Sequence, residues 1–98
     1  MARELIHDAD KRRYELRIDG ALVSALDYVL RPESISFTHT FTDPKQRGKG
    51  FAGELVSYAI DDVEKNSVRR VIPMCWYVGQ WFDEHPDRAG LLNRHGGE

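Results

Sequence analysis

Asp43-Pro44-Lys45-Gln46-Arg47-Gly48-Lys49-Gly50-Phe51-Ala52 is the stretch on which the fold of this chain turns. Before it, from about Ile35 to Thr42, polarity alternates with the period of a strand. Ile35, Phe37, His39 and Phe41 fall on one face, and Ser36, Thr38, Thr40 and Thr42 on the other. After it the period changes. Phe51, Leu55, Val56, Ala59, Ile60 and Val63 recur at helical spacing, with Glu54, Asp61, Asp62 and Glu64 opposite. A helix is therefore expected from about Gly50 to Lys65, with Asn66 suited to its C-terminal end.

Upstream, Tyr14, Leu16 and Ile18 alternate with Arg13, Glu15 and Arg17, which predicts a half-buried strand. Asp19-Gly20 is a hairpin signal, a second strand follows over about Ala21 to Leu30, and Arg31-Pro32-Glu33-Ser34 makes the next turn. Downstream, Val68 to Cys75 reads as a fourth strand. Val78, Trp81 and Phe82 suggest a short helix that stops near His85-Pro86, because proline disfavours helical geometry in the residue before it. Arg88 to Leu92 adds a further turn, and residues 93–98 read as a frayed tail.

The expected order is β-β-β-α-β-α, an α/β fold with an antiparallel meander followed by a βαβ crossover and a C-terminal helix. The crossover should be right-handed and its two strands parallel. Parallel strands end at the same edge of a sheet. The chain around His39–Thr42 and around Cys75 should therefore emerge close together, beside the start of the Gly50 helix.

Ninety-eight residues suit one domain, 1–98, with a 41% apolar share that is ample for one core. Charged residues make up 31%, are mixed in sign and sum to −2, which argues against nucleic acid as the main partner. The pairs Arg12-Arg13 and Arg69-Arg70 are either solvated strand ends or local phosphate contacts. The single cysteine, Cys75, excludes an intramolecular disulfide and fits a reducing, cytoplasmic setting. The first eight residues lack the apolar run of a signal peptide, and no stretch approaches the roughly 18 apolar residues of a membrane span. Nothing in the pattern sets an oligomeric state.

The glycine turn carries the chemistry. Gly48 and Gly50 let backbone amides approach a ligand without Cβ obstruction, the helix start adds unpaired N–H groups, and Arg47 and Lys49 supply two charges. These features make an anion cradle suited to a phosphate or pyrophosphate, or a loop that only turns a corner. The P-loop pattern is absent. A dinucleotide pattern is literally present as Gly48, Gly50 and Gly53. However, a polar linker separates it from the strand, no acidic residue ends the next strand, and the chain is too short for a doubly wound sheet.

Arg47-Gly48-Lys49-Gly50-Phe51-Ala52 resembles the R-x-x-G-x-G/A pyrophosphate loop of the GNAT acetyltransferases. Thr38-His39-Thr40-Phe41 before the loop, Pro73-Met74-Cys75-Trp76-Tyr77-Val78 after it, and His85-Pro86-Asp87 extend the likeness to small single-domain GNAT-like proteins of about a hundred residues. The resemblance implies a compact GNAT-like fold, acetyl-CoA as cofactor, and N-acetyl transfer to an amine acceptor, either a small molecule or a peptide. It places the cofactor in a cleft where the two parallel strands splay, against Phe41, Thr42, Arg47, Gly48, Lys49, Gly50, Phe51 and Ala52. Pro73 supports a splay independently, since it cannot donate to a strand ladder.

The resemblance also makes Cys75 and His39 candidate catalytic residues. Cys75 is either a nucleophile that forms an acetyl-cysteine, the acid that protonates the CoA thiolate, or simple packing. The nucleophile role requires a depressed thiol pKa, which a nearby His39 imidazole would supply; a histidine among apolar residues is otherwise a core residue. No Cys/His cluster has metal-ligand spacing, and no serine sits in a G-x-S-x-G turn. Two other functions remain open at this stage. One is a CoA- or acyl-CoA-binding module without efficient transfer, because GNAT enzymes use additional N-terminal helices to shape the acceptor site. The other is an interaction domain using Trp76, Tyr77 and Trp81.

Overall fold

The computed structural model describes residues 2–94. Its sheet contains β1 (Arg3–Asp8), β2 (Arg13–Ile18), β3 (Ala21–Leu30), β4 (Ser34–Thr42) and β5 (Arg70–Pro73), in spatial order β1-β2-β3-β4-β5. The first four strands are antiparallel, and β4 and β5 are parallel. The helices are α1 (Phe51–Asn66) and α2 (Trp76–Glu84), with 3-10 segments at Pro44–Gln46 and Pro86–Asn93. This is the mixed α/β architecture that the change of period at the glycine turn predicts. At Asp19-Gly20 both residues are left-handed, with φ of 51° and 83°, and Ile18 pairs with Ala21 across a two-residue hairpin loop.

Three expectations need correction. The chain begins with a strand that the pattern of residues 3–8 did not announce, because Leu5 and Ile6 are adjacent rather than alternating. β1 exists through its partners: it lies along β2, and Arg3 and His7 reach α1 at Glu54 and Asp62. The strand expected to reach Cys75 ends at Pro73, which has no N–H to continue the ladder. The Met74 N–H turns back onto Ile72, and Cys75 becomes the residue that starts α2. Of the tail expected to fray, Asn93 closes the second 3-10 segment and residues 95–98 lie outside the described residues. Arg94 is anchored, its guanidinium donating to the carbonyls of Val63 and Glu64 in the last turn of α1 and of Ser67 and Arg69 beyond it. Such a cation satisfies carbonyls that a helix end leaves unpaired.

One apolar core joins Tyr14, Leu16, Leu26, Ile35, Phe37 and Val71 of the sheet to Leu55, Val56, Ala59, Ile60 and Val63 of α1 and Val78, Trp81 and Phe82 of α2. Tyr14 is buried, yet its hydroxyl donates to the Asp62 carboxylate at 2.6 Å, beneath the stacked ring of His7. Burial first, and then the Asp62 carboxylate, hold the phenol well above its ordinary pKa, so it stays a donor at every physiological pH. Tyr14→Phe should cost about 1–2 kcal/mol, less than a fully buried charged bond because Asp62 keeps Asn66 and His7 as neighbours. Urea unfolding of the variant checks this; an unchanged midpoint would mean that solvent replaces the bond.

A bulge in β4 matters most for the site. Asp27 pairs with His39 but Tyr28 pairs with Phe37, so Thr38 is an extra residue without a partner on β3. The alternation of side chains is thereby shifted by one. Beyond the bulge, Thr40 lies opposite the fully buried Leu26 and Thr42 opposite Ser24, whereas His39 and Phe41 lie opposite Asp27 and Ala25 on the other face. Among the described residues no helix is long and apolar enough to cross a membrane.

Candidate functional site

The pairing of β4 with β5 stops at Phe37 and Pro73. The Cys75 N–H still donates to the Phe37 carbonyl at 2.9 Å, after which β4 runs on and the chain of Cys75 turns away into α2. The strands therefore splay where Pro73 and the expected parallel pairing place the splay. Into this opening points the start of α1.

Gly48 and Gly50 are both left-handed, with φ of 82° and 79°, and Gly50 is the N-cap of α1. Glycine is the residue that adopts this geometry without steric cost. Since Gly50 has no side chain, no side-chain hydrogen bond caps α1. The first amides of the helix, after Gly50, are thus left to the cleft. The turn before them is braced by Asp43, whose carboxylate accepts from the Lys45 N–H at 3.0 Å, and Lys49 donates to the Gln46 side chain at 3.1 Å. Glu54, the acidic residue in the first turn of α1, is paired with Arg3 of β1 at 3.0 Å. That pair offsets a carboxylate charge near an anion cradle, and it depends on the strand that sequence patterning missed.

The cleft has a volume of about 500 Å³ and is lined by Thr40, Thr42, Gln46, Arg47, Gly48, Gly50, Phe51, Ala52, Trp76 and Tyr77. Thr42, Arg47, Gly48, Gly50, Phe51 and Ala52 of the expected binding set are brought together here. Lys49 lies in the same turn without lining the cleft. Phe41 does not join them: the bulge turns it to the other face of the sheet, where its side chain is 41% exposed. Trp76, 75% exposed, and Tyr77 pack edge to face on the wall opposite the glycine turn.

Cys75 is buried, and its sulfur lies 3.3 Å from the Thr40 hydroxyl. Burial pushes the thiol pKa up. Hydrogen bonds from the Thr40 hydroxyl and from the backbone N–H groups of Tyr77, Val78 and Thr40 outweigh burial and hold the thiol below its ordinary value. Two of these donors belong to the first turn of α2, where the helix dipole also favours negative charge. His39 is exposed and sits on the opposite face of β4, beside Asp27. The histidine expected beside the thiol is therefore replaced there by Thr40, which a strictly alternating strand places away from it. The only trace of Thr40 in the sequence is its position next to His39; the bulge that exchanges the two has no signature of its own.

A family model described as GCN5-related N-acetyl-transferase matches residues 13–91. The curated proteins similar to this chain include Protein NATD1 of Xenopus tropicalis and of Mus musculus. Each is 28% identical over 83 residues, spanning 82% of this chain and 74% of the relative. Among solved structures, a ribosomal-protein-alanine N-acetyltransferase from Brucella melitensis biovar Abortus 2308 is similar with a TM-score of 0.54 at 26% identity, over 61% of this chain and 46% of that one. A predicted acetyltransferase with acetyl-CoA from Clostridium acetobutylicum has the same TM-score at 11% identity, over 79% of this chain and 58% of its own, a likeness of fold. This chain thus spans about half the length of the two solved structures.

Proposed function

This chain belongs to the GCN5-related N-acetyltransferase family, and on that premise we propose that it is an acetyl-CoA-dependent N-acetyltransferase working in the cleft between the glycine turn and Cys75. The observation that carries the proposal is the placing of two complementary features along one opening. At one side stands an uncapped helix start with two left-handed glycines and Arg47, fit for a pyrophosphate. At the other stand Thr40, Trp76 and Tyr77, and behind Thr40 lies the buried Cys75 sulfur, 3.3 Å from the Thr40 hydroxyl. Bound acetyl-CoA would supply the activated acetyl thioester. The amides after Gly50 and the Arg47 charge would hold its phosphates, and Thr42, Trp76 and Tyr77 would flank the rest.

The Thr40 hydroxyl beside the sulfur holds the thiol below its ordinary value, and this added thiolate character supports the nucleophile role of Cys75. The acceptor is an amine that takes the acetyl group from Cys75. His39, exposed on the other face of β4, faces neither the thiol nor the cleft.

A CoA-binding module without efficient transfer is the second reading, favoured by an anion cradle at the start of α1 that needs no acceptor to hold CoA. Calorimetry and thermal melting with acetyl-CoA test what the two readings share. A ligand that binds only the folded state at a hundred times its Kd stabilises by about 2.7 kcal/mol. In a domain of this size that raises Tm on the order of 10 °C. Acetyl-pantetheine, which lacks the pyrophosphate, should raise it less. No heat and no shift at millimolar acetyl-CoA would remove both readings.

A further inference from the structure

We propose that Thr40 is a positioning residue of the transfer site, holding the Cys75 sulfur in place and supporting its negative charge in the position expected of His39. The inference rests on the acetyl-transfer reading for its purpose, though not for its test. Thr40 stands in the register where β4 has just passed the bulge at Thr38, and its pairing with Leu26 anchors its backbone. Its side chain is β-branched and stiff, so the hydroxyl is delivered with little loss of rotamer freedom. It both lines the cleft and meets the sulfur at 3.3 Å.

In the neutral pair either atom can donate. A thiolate has no proton to give, so ionisation of Cys75 obliges the Thr40 hydroxyl to donate and strengthens the bond. The Tyr77 and Val78 amides approach the same sulfur from the first turn of α2. The hydrogen bond that fixes the sulfur's place is the 3.3 Å contact with Thr40 of β4.

The hydroxyl orients and stabilises but does not take the proton. In the transfer reading the Cys75 proton leaves to solvent, and the sulfur attacks the carbonyl carbon of acetyl-CoA. The bond to the CoA sulfur breaks, and the CoA thiolate leaves and is protonated by solvent. The amine nitrogen then attacks the acetyl-cysteine carbonyl, the bond to Cys75 breaks, and the amine proton goes to solvent. No imidazole is required for the first half, so its pH dependence follows the thiol alone.

Alkylation of the purified chain by iodoacetamide, without CoA, reads this directly between about pH 5 and pH 10, where thiols titrate. Thr40→Val removes the hydroxyl at nearly constant shape. It should move the alkylation midpoint up by about one pH unit, with roughly tenfold slower labelling at neutral pH. Thr40→Ser should restore the wild-type profile, and His39→Ala should leave it unchanged. If the valine variant does not fold, Thr40→Ala removes the same hydroxyl and should show the same shift. A valine or alanine variant that titrates like the wild type, or a serine variant that titrates like valine, overturns the proposal. Because the assay contains no CoA, failure of the chain to bind acetyl-CoA would defeat the transfer reading and leave the alkylation result to judge Thr40 on its own.

Discussion

Gly50→Val is expected to abolish acetyl-CoA binding while the chain stays folded. Gly50 is left-handed, with φ of 79°, and a Cβ built on it meets no protein atom within 4 Å. Packing is therefore undisturbed, and the added side chain faces the cleft mouth, where the proposed pyrophosphate must come close to backbone amides. Two effects act together. A β-branched residue in left-handed geometry costs about 1–3 kcal/mol, and relief of that strain would unwind the N-cap and scatter the first amides of α1. The methyl groups also obstruct the approach of an anion. Binding should fall by at least about a hundredfold, on the order of 3 kcal/mol, measured by titration calorimetry. Gly50→Asn separates the causes, since asparagine tolerates left-handed backbone. If it melts like the wild type and yet does not bind, obstruction dominates. Normal binding by the folded valine variant would mean that the phosphates sit elsewhere.

The second large effect concerns Cys75. Incubated with acetyl-CoA, the wild-type chain should become heavier by one acetyl group, reversibly with hydroxylamine. Cys75→Ala and Cys75→Ser should show no such adduct by intact-mass spectrometry. Acetyl transfer from one thiol to another exchanges like bonds, so it needs mainly proximity and a thiolate. Serine keeps the shape but has no accessible alkoxide. The donors from Thr40 and α2 hold the thiol below its ordinary pKa, so the thiolate fraction, and with it labelling, should persist to lower pH than for a free cysteine. Labelling rises with pH through that lowered value and levels off above it. Because His39 faces the other side of β4, His39→Ala should label at the wild-type rate. No adduct, with full turnover by Cys75→Ala on an identified amine, would make direct attack by the amine the mechanism. No adduct and no turnover on any amine would favour the binding module.

Much of this was legible in the residues. The alternation of Tyr14, Leu16 and Ile18 and the Asp19-Gly20 turn specify a hairpin locally, since both depend on neighbours a few positions away. The helical period from Phe51 to Val63 specifies α1 and its buried face, and all six of those apolar positions are buried. The glycine turn belongs to the same class. Left-handed backbone at Gly48 and Gly50 is a property of glycine itself, and a helix start always leaves amides unpaired.

Three things came only from the assembled chain. β1 has no period of its own, and its side chains find purpose across the fold, Arg3 on Glu54 and His7 among Tyr14, Tyr28 and Asp62. The end of β5 was hinted at by Pro73, but where Cys75 then points depends on α2 beginning there. The bulge at Thr38 is the clearest case. From Ile35 to Thr42 the residues alternate without a break, and local pattern alone puts His39 and Phe41 with Phe37. Side-chain direction in a strand is set by pairing with the next strand, and one residue left unpaired reverses every direction after it. Sequence determined that a strand, a glycine turn and a helix would meet a cysteine at a splayed edge; register between β3 and β4 decided that threonine, not histidine, would meet its sulfur.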